Sequence, residues 1–423
     1  MNIAIVGAGI VGVTTAFELG ADGHAVTVFE RRGAAAEETS FANAGVIAPG
    51  YVTPWAAPGM PAKVLRQWFA PHSAVHLRWP LSLRELAWLA AFRRACRPET
   101  WRANRARLQR LAFYSRTRLH ELSVGLDLHY DCSPGYLVLL RGERERAAVR
   151  AGLPLLDEAG VRYEELGPEA ARSIEPALDP QRALAGALHL PDDGVANCRQ
   201  VAQLLRREAE SLGVVFEFGR TVLPLDAAAP NALRIAQIDG EVQTRRFDAV
   251  VVCGGVESAA LLHPVGLKVP LIPVWGYSIT AALGDPLNAP RSGLMDERYK
   301  VAISRLGERV RVAGSAGIGG RAHDKDAATL RTLYKVLQDW FPAAARLAGK
   351  CVTVQEWKGA RPMLPDGPPV LGASGVPGIW LNIGHGSSGW ALACGSARAV
   401  ADLVGGRAPA VDLEGLDIAR LRG

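Results

Sequence analysis

The first thirty residues combine a glycine motif with two short apolar segments, and they constrain the fold more than any other part of the chain. Residues 2–6 are typical of a buried parallel strand, and Gly7-Ala8-Gly9-Ile10-Val11-Gly12 follows directly. A helical stretch to Gly20 comes next, and a second strand over 25–29 ends at Glu30. This order of strand, glycine turn, helix, strand and acid predicts a Rossmann-type dinucleotide-binding unit.

Each residue of the motif has a physical role in such a unit. Gly7 makes the turn, Gly9 lets the backbone at Ile10 and Val11 approach a pyrophosphate, and Gly12 allows close helix–sheet packing. Glu30 would accept hydrogen bonds from ribose hydroxyls, which argues against the 2′-phosphate of NADP, although Arg31 beside it weakens that inference slightly. FAD and NAD both remain open at this point, and a tight turn that binds nothing is the alternative.

Length and composition bound the architecture. A chain of 423 residues with 49% hydrophobic and 21% charged content is globular, and it is too long for one compact core. No basic leader precedes the glycine motif, and the uncharged run 367–397 is too rich in Gly and Pro for a membrane-spanning helix. The cysteines lack any CxxC pair and indicate a reducing compartment; they are residues 96, 132, 198, 253, 351 and 394. No metal-ligand cluster or Ser/His/Asp triad is evident.

Positive charge is concentrated in one segment. Residues 61–110 contain eleven Lys/Arg and two acids, so they carry about +9, although the whole chain carries only +6. Five of the ten tryptophans lie in or beside the segment, at positions 55, 68, 79, 88 and 101. An anionic membrane surface and nucleic acid are the two partners that such a segment suits, and a solvated basic helix pair is the alternative.

Several long strings in the rest of the chain resemble the FAD-dependent D-amino-acid oxidase superfamily, and within it the bacterial D-amino acid dehydrogenases. The resemblance runs nearly end to end and is carried by residues 39–45 (TSFANAG), 49–51 (PGY), 54–59 (PWAAPG), 276–278 (GYS), 361–367 (RPMLPDG), 382–386 (NIGHG), 389–390 (GW) and 393–396 (ACGS). It implies FAD as the cofactor and dehydrogenation of an α-amine as the reaction.

The resemblance also implies where FAD lies. The segment after Glu30 would follow the cofactor, and Gly254 ends a second strand beside it. The glycine-rich turn before the last helix would place backbone N–H groups and a positive helix end near the N1–C2=O side of the flavin. The alternatives are an ordinary Ser/Asn turn for the segment after Glu30, a plain buried strand for the one that ends at Gly254, and a glycine turn packed against the sheet for the last. The implied contacts are Ser40, Asn43, Ala44, Gly45, Gly254, Gly384, His385, Gly386, Ser387 and Gly389.

Arg361 is the strongest candidate for a catalytic side chain. It matches the position at which related amine oxidases hold the substrate carboxylate, and a guanidinium can bind that group through two hydrogen bonds. Tyr277 would add a hydroxyl to the same carboxylate. The pocket candidates, each of which alone is more often a packing residue, are Tyr51, Trp55, Tyr299 and Trp390.

Two departures from the dehydrogenase pattern affect the expected substrate. Val46 stands where the dehydrogenases usually have Gln, and Trp275 stands where they usually have Lys. Both changes remove polarity and favour a bulkier or more apolar pocket.

The implied reaction is hydride transfer from Cα of a D-amino acid to FAD N5, with hydrolysis of the imino acid to a 2-oxo acid and ammonia. A quinone at the membrane is the implied electron acceptor. An oxygen-using amine oxidase of glycine or sarcosine type, a D-proline or hydroxyproline dehydrogenase, and an NAD dehydrogenase are the alternatives. A non-catalytic flavoprotein or a nucleic-acid-binding module is a further alternative. All of them rank below a dehydrogenase, and no nucleic acid partner is expected.

The predicted fold is α/β, with a Rossmann-like FAD-binding domain interleaved with an α+β substrate domain that contains a mainly antiparallel sheet. The FAD-binding domain is expected over about 1–50, 190–265 and 355–423. The substrate domain is expected over 51–189 and 266–354, with the basic Trp-rich excursion at 51–124. The expected location is the cytoplasm, peripheral at the inner face of the cell membrane where the basic stretch touches lipid.

Overall fold

A computed structural model of the chain describes residues 1–67, 72–347 and 353–422, so Trp68 and Cys351 lie outside the described residues. The strands are β1 Asn2–Val6, β2 Ala25–Glu30, β3 Val46–Ile47, β4 Val75–Leu77, β5 Cys132–Leu140, β6 Glu164–Leu166, β7 Gly186–Ala196, β8 Val215–Phe218, β9 Thr221–Val222, β10 Ala232–Ala236, β11 Val242–Arg246, β12 Ala249–Val252, β13 Ile272–Ala282, β14 Gly293–Asp296, β15 Val301–Leu306, β16 Arg309–Ile318, β17 Gln355–Met363, β18 Val370–Ala373 and β19 Ile379–Ile383. The helices are α1 Ile10–Ala21, α2 Met60–Gln67, α3 Leu83–Ala95, α4 Pro98–Gly125, α5 Glu143–Arg150, α6 Leu153–Glu158, α7 Pro168–Ile174, α8 Cys198–Ser211, α9 Ser258–Leu262, α10 Ala327–Trp340 and α11 Gly389–Val404.

The glycine motif belongs to a six-stranded sheet with the order β18-β19-β12-β1-β2-β8. Its strands are parallel except for the edge strand β18. Because the carboxyl ends of parallel strands share one edge, the ends of β1, β2, β12 and β19 bring Gly7, Glu30, Gly254 and Gly384 to the same side of the sheet. The predicted βαβ start is present, and its strands have the predicted order.

Apolar side chains on both faces of this sheet hold three layers together. Helices α1, α4, α8 and α11 pack in one cluster on one face. The other face packs against α9 and against the three-stranded sheet β11-β10-β9. The position of helix α4 differs from the predicted domain division, which assigns 51–124 to the substrate domain. Its buried residues Leu111, Ala112 and Leu119 lie in the core of the dinucleotide-binding layer.

The second sheet has ten strands, mostly antiparallel, with the order β17-β13-β16-β15-β14-β5-β7-β3 and with β4 and β6 paired at the side. Helix α10 covers one of its faces through Leu333, Val336 and Trp340. Strand β17 pairs with β13 along its whole length, and β3 pairs with β7. Residues 46–47 and 355–363 therefore belong to this sheet, although the predicted boundaries place them in the FAD-binding domain.

The excursion at 51–124 is more regular than its sequence indicates. The stretch 49–80 has no clear period, yet it forms α2 and β4, and β4 is held by pairing with β16. The tryptophans of this segment do not share one surface: Trp79 is exposed, Trp55 and Trp101 are half-buried, and Trp88 is buried with its Nε1 donating to the carbonyl of Met363.

None of the helices in the described ranges combines the length and the apolar character that crossing a membrane requires. The uncharged run 367–397 forms β18, β19 and part of α11, which agrees with the expectation that it is not a membrane span.

Candidate active site

A single large cavity of about 1730 Å³ joins the glycine motif to the ten-stranded sheet. Its lining begins at Gly7 and Glu30, passes residues 42–45 and the turn 384–389, and reaches Arg361. A drug-sized ligand needs a site of about 300–1,000 Å³, so this cavity has room for a dinucleotide and a second, small molecule.

The glycines at the start of the cavity are required by close backbone approach. Gly7 has φ +101°, and a Cβ there would lie 2.8 Å from the carbonyl oxygen of Cys253. A Cβ at Gly12 would lie 1.9 Å from the Gly7 carbonyl oxygen, so no side chain fits. Gly12 does not line the cavity, in agreement with a packing role, whereas Gly9, Ile10 and Val11 do. The first N–H groups of α1 thus meet the cavity without helical partners.

Polar side chains around this turn have defined partners. The Glu30 carboxylate accepts hydrogen bonds from the N–H groups of Ala8 and Arg32, both at 2.8 Å. Ser40 Oγ accepts from the N–H of Ile10 at 3.0 Å, so this residue shapes the start of α1. Arg31 also lines the cavity, but it forms an ion pair with Glu38 at 2.7 Å and another with Glu257 at 3.4 Å.

The turn at 384–389 places the amino end of α11 against the cavity, as the sequence predicts. Gly384 and Gly386 have φ +78° and +58°, and side chains there would strike Leu364 and Met363. His385 is buried and its Nε2 lies 3.0 Å from Ser396 Oγ. Burial lowers the pKa of His385 to about 3, so its ring is neutral at physiological pH.

These groups together fit FAD. The glycine cradle admits no side chain, the start of α1 offers N–H donors for a pyrophosphate, and the Glu30 carboxylate keeps lone pairs for ribose hydroxyls. Residues 42–45, Gly254 and the turn 384–389 continue the same cavity and would hold the ring system.

Arg361 lies on β17, where it pairs in register with Val274 of β13. Because β17 continues through Met363, backbone pairing with β13 on both sides of Arg361 fixes its position. Its guanidinium packs flat against the neighbouring strand: a Cβ on Gly276 would lie 2.5 Å from Cζ and from both Nη atoms. The absence of a side chain at Gly276 is what makes room for the guanidinium.

The guanidinium of Arg361 lacks a negative partner in the described ranges. Nη1 donates to the carbonyl of Ser315 at 2.8 Å, and Cζ lies 5.5 Å from the centre of the Trp55 ring. No Asp or Glu among the described residues forms an ion pair with it, and burial lowers the pKa of Arg361 to about 10. A half-buried cation that remains protonated at neutral pH and lines a cavity is suited to bind a carboxylate.

Tyr277 contributes to the cavity lining, but it lies on the opposite face of the paired strands from Arg361. Residues paired across neighbouring strands share a face, and Tyr277 pairs with Lys358, whereas Gly276 pairs with Gly359. The Tyr277 hydroxyl donates to the carbonyl of Asp324 at 3.3 Å, and its ring packs in the cluster beneath α10. The expectation that it binds the same carboxylate is thus not supported, because the alternation of the strand turns it to the other face.

Of the four predicted pocket residues, Tyr299 lies outside the cavity lining. Its ring packs near the guanidinium of Arg141 and beneath α10. Tyr51 lines the cavity and donates to the Glu297 carboxylate at 2.5 Å, and its pKa is raised well above the usual value, first by burial and then by Glu297. Trp390 lines the cavity and donates to the Ala196 carbonyl at 3.1 Å. Trp55 also lines it.

Sequence reasoning missed the apolar wall beside Arg361. Trp357, Gly359 and Arg361 are every second residue of β17 and therefore share one face of the strand. A Cβ on Gly359 would lie 1.7 Å from the Trp357 ring, so the ring covers Gly359. Counting every second residue back from Arg361 could have found both positions. Further lining comes from one apolar cluster, with Trp55, Val75, Leu77, Trp88, Leu89, Phe92, Val274, Ala316 and Ile318.

A flavin-sized cavity at the carboxyl edge of a Rossmann-like sheet, beside a second sheet that places an Arg without an acid partner in its lining, is typical of flavin-dependent oxidoreductases. The model of the FAD dependent oxidoreductase family matches residues 2–403, and the chain belongs to this family. The predicted family, fold class and FAD cofactor are thereby confirmed.

Curated relatives agree along almost the whole chain. A protein of Rhizorhabdus wittichii named D-amino acid dehydrogenase is 42% identical over 422 residues, covering 99% of this chain and 100% of that protein. One of Rhizobium rhizogenes with the same name is 40% identical over the same coverage. The crystal structure of glycine oxidase from Geobacillus kaustophilus has a TM-score of 0.73 at 23% identity, covering 99% of this chain and 98% of that one, and shows that the fold is shared.

Proposed function

We propose that this flavoprotein oxidises D-amino acids and that Arg361 binds the substrate carboxylate. The observation that carries the proposal is the half-buried guanidinium of Arg361, which lines the cavity without an acid partner in the described ranges. Relatives at about 40% identity named D-amino acid dehydrogenase support the substrate class.

The residues of this chain bind and orient the substrate. The ion pair to Arg361 would hold the substrate carboxylate. Packing of the guanidinium against Gly276 and the ring of Trp357 in the cavity lining would restrict the orientations that the guanidinium and the substrate can adopt. Bound FAD supplies the chemistry of accepting a hydride. His385, whose ring belongs to the turn 384–389, is neutral and lies within hydrogen-bond distance of Ser396 Oγ, so it is unsuited to act as a cationic acid.

The preferred substrates are D-amino acids with apolar side chains. The wall beside Arg361 consists of aromatic and aliphatic side chains such as Trp55, Trp88 and Phe92. The carboxylates that line the cavity are Glu30, Glu37, Glu38, Glu158 and Glu257, none of which belongs to the apolar cluster. A cationic side chain would therefore lose its hydration there without a partner.

A panel of D- and L-amino acids with an artificial electron acceptor tests the proposal. The FAD-loaded protein should reduce the acceptor with apolar D-amino acids and should use D-Lys poorly. Arg361→Met should raise KM roughly 100-fold, the effect expected for a lost buried charge pair, with the flavin absorption unchanged. Arg305→Met, on β15 and outside the cavity lining, is the matched control. Turnover of L-amino acids instead, or an unchanged KM in Arg361→Met, would contradict it.

We further propose that electrons pass to a membrane quinone and that the basic segment contacts lipid. Four arginines around the start of α4 support this proposal, because they are exposed and form no ion pair with any described residue; they are Arg93, Arg94, Arg97 and Arg102. Two of them, Arg93 and Arg102, also line the mouth of the cavity. Reduction of a soluble quinone faster than oxygen uptake supports this acceptor, and rapid oxygen consumption with peroxide release favours an oxidase.

A further inference from the structure

Three consecutive peptide carbonyls of the segment 42–44 are held by side chains from three adjacent strands. Ser278 Oγ of β13 donates to the carbonyl of Ala42 at 2.8 Å. Nη1 of Arg311, on β16, donates to the carbonyl of Asn43 at 3.0 Å. Ser304 Oγ of β15 donates to the carbonyl of Ala44 at 2.7 Å. All three side chains are buried, and none of them lines the cavity.

The anchored carbonyls determine where the N–H groups of the same peptides point. In a planar trans peptide the C=O and N–H point in opposite directions. With the carbonyls of Ala42 and Asn43 turned to the ten-stranded sheet, the N–H groups of Asn43 and Ala44 point away from it, and both residues line the cavity. Neither N–H group has a hydrogen-bond acceptor among the described residues, whereas the N–H of Gly45 donates to Asn43 Oδ1 at 3.0 Å.

Arg311 contributes charge as well as position. Its Nε donates to Thr280 Oγ1 at 2.9 Å, and it forms no ion pair with any Asp or Glu in the described ranges. Burial lowers the pKa of Arg311 to about 10, so it stays protonated at neutral pH. A hydrogen bond from a cation to the Asn43 carbonyl polarises that peptide and makes its N–H, which belongs to Ala44, a stronger donor.

We propose that Ser278 and Arg311 are positioning residues that present the N–H groups of Asn43 and Ala44 as preorganised donors to the flavin ring of bound FAD, and that Arg311 raises the electron affinity of the ring. Ser304 fixes the next peptide, whose N–H donates to Asn43 Oδ1. Donors aimed at the ring stabilise the added electron density of its reduced form more than the oxidised form. The proposal rests on the binding of FAD that the proposed function also requires.

Arg311→Met tests this arrangement through the midpoint potential of the bound flavin, measured by equilibration with a redox dye, and through the affinity of the apoprotein for FAD. The potential should become more negative, and the FAD dissociation constant should rise roughly tenfold, the effect of about one lost charge-assisted hydrogen bond. Arg311→Lys should restore part of the potential because it restores the charge. Arg309→Met, exposed two residues away on the same strand, should leave both quantities unchanged.

An Arg311→Met protein with the wild-type midpoint potential and flavin spectrum would overturn the proposal, even with weaker FAD binding, since a merely structural role predicts that pattern. If Arg311→Met fails to fold, Ser278→Ala decides the question, because Ser278 holds the carbonyl that orients the N–H of Asn43. An unchanged potential in Ser278→Ala would then overturn the proposal. If the wild-type protein oxidises D-amino acids and the variants keep the wild-type potential, only the proposal about the positioning residues is refuted. Wild-type protein that binds no FAD refutes the proposed function itself.

Discussion

Gly276 and Arg361 lie on the neighbouring strands β13 and β17. Because Gly276 has no side chain, the guanidinium of Arg361 can lie against it. A methyl group on Gly276 would meet the guanidinium at 2.5 Å, and the end of a long side chain can move away at small cost. We expect Gly276→Ala to fold normally, with a Tm within about 2 °C of wild type. The displaced guanidinium should lower kcat/KM roughly 100-fold, which steady-state kinetics measures.

Gly317→Ala is the matched control for Gly276→Ala. It lies on the adjacent β16, does not line the cavity, and places its Cβ 3.4 Å from Trp275 Cβ. Its kinetics should match wild type. Equal kcat/KM values in the two variants would show that the position of the guanidinium is unimportant for the reaction.

The charge of Arg361 also predicts a pH dependence of binding. Its pKa of about 10 means that the guanidinium is protonated below pH 10 and loses its proton above it. Affinity for a carboxylic acid inhibitor without an amino group should be constant up to about pH 9 and should fall roughly tenfold per pH unit above 10. In Arg361→Lys the affinity for the same inhibitor should begin to fall at a lower pH, because burial also favours the neutral form of an amine. A flat profile in wild type to pH 11 would exclude Arg361 as the anion site.

At the scale of elements, helices α1, α4 and α11 are joined by one buried carboxylate. Glu18 of α1 is fully buried and accepts from Arg118 of α4 and from Arg398 of α11, both at 2.7 Å. Glu18→Gln removes the buried carboxylate that both guanidinium groups share, and it leaves Arg118 with Glu121 and Arg398 with Asp22 and Asp402. We expect the free energy of unfolding to fall by about 2 kcal/mol, as for lost hydrogen bonds to a charged group. Denaturant unfolding measures the change.

Glu121 offers the control for this ion-pair cluster. Its carboxylate also pairs with Arg118, at 3.0 Å, but its side chain is 54% exposed. Glu121→Gln should therefore change the free energy of unfolding by less than about 1 kcal/mol. A similar loss in both variants would mean that burial of the Glu18 carboxylate does not determine the strength of the cluster.

At the scale of the whole molecule, the concentration of positive charge predicts salt-sensitive binding to anionic vesicles. Arg94→Ala with Arg97→Ala removes two exposed charges outside the cavity lining, and each charge near a lipid surface contributes about 1 kcal/mol. The partition coefficient measured by vesicle sedimentation should fall at least tenfold at low salt.

The matched double variant Arg234→Ala with Arg246→Ala removes the same charge from exposed positions of the three-stranded sheet. Its partition should resemble wild type. Equal partition of wild type at low and high salt would exclude contact between the basic segment and lipid.

The sequence by itself determined the features that depend on neighbouring residues. The glycine motif, Glu30 and the turn before α11 lie in short continuous segments whose turn geometry and strand periodicity are local, so their place at one sheet edge could be predicted. The importance of Arg361 came from resemblance to a family, because one Arg before a Pro carries no local signal of its surroundings.

The tertiary structure alone decided which side chains meet across long separations. Register between β13 and β17 turns Tyr277 away from Arg361, since a shift of one residue exchanges the faces of a strand. Packing against α1 and α11 places α4 in the dinucleotide-binding layer although its sequence is basic. The contacts of Arg311 and Ser304 with the segment 42–44 join residues about 260 positions apart. Such contacts follow from the burial of whole surfaces, which no local pattern of residues records.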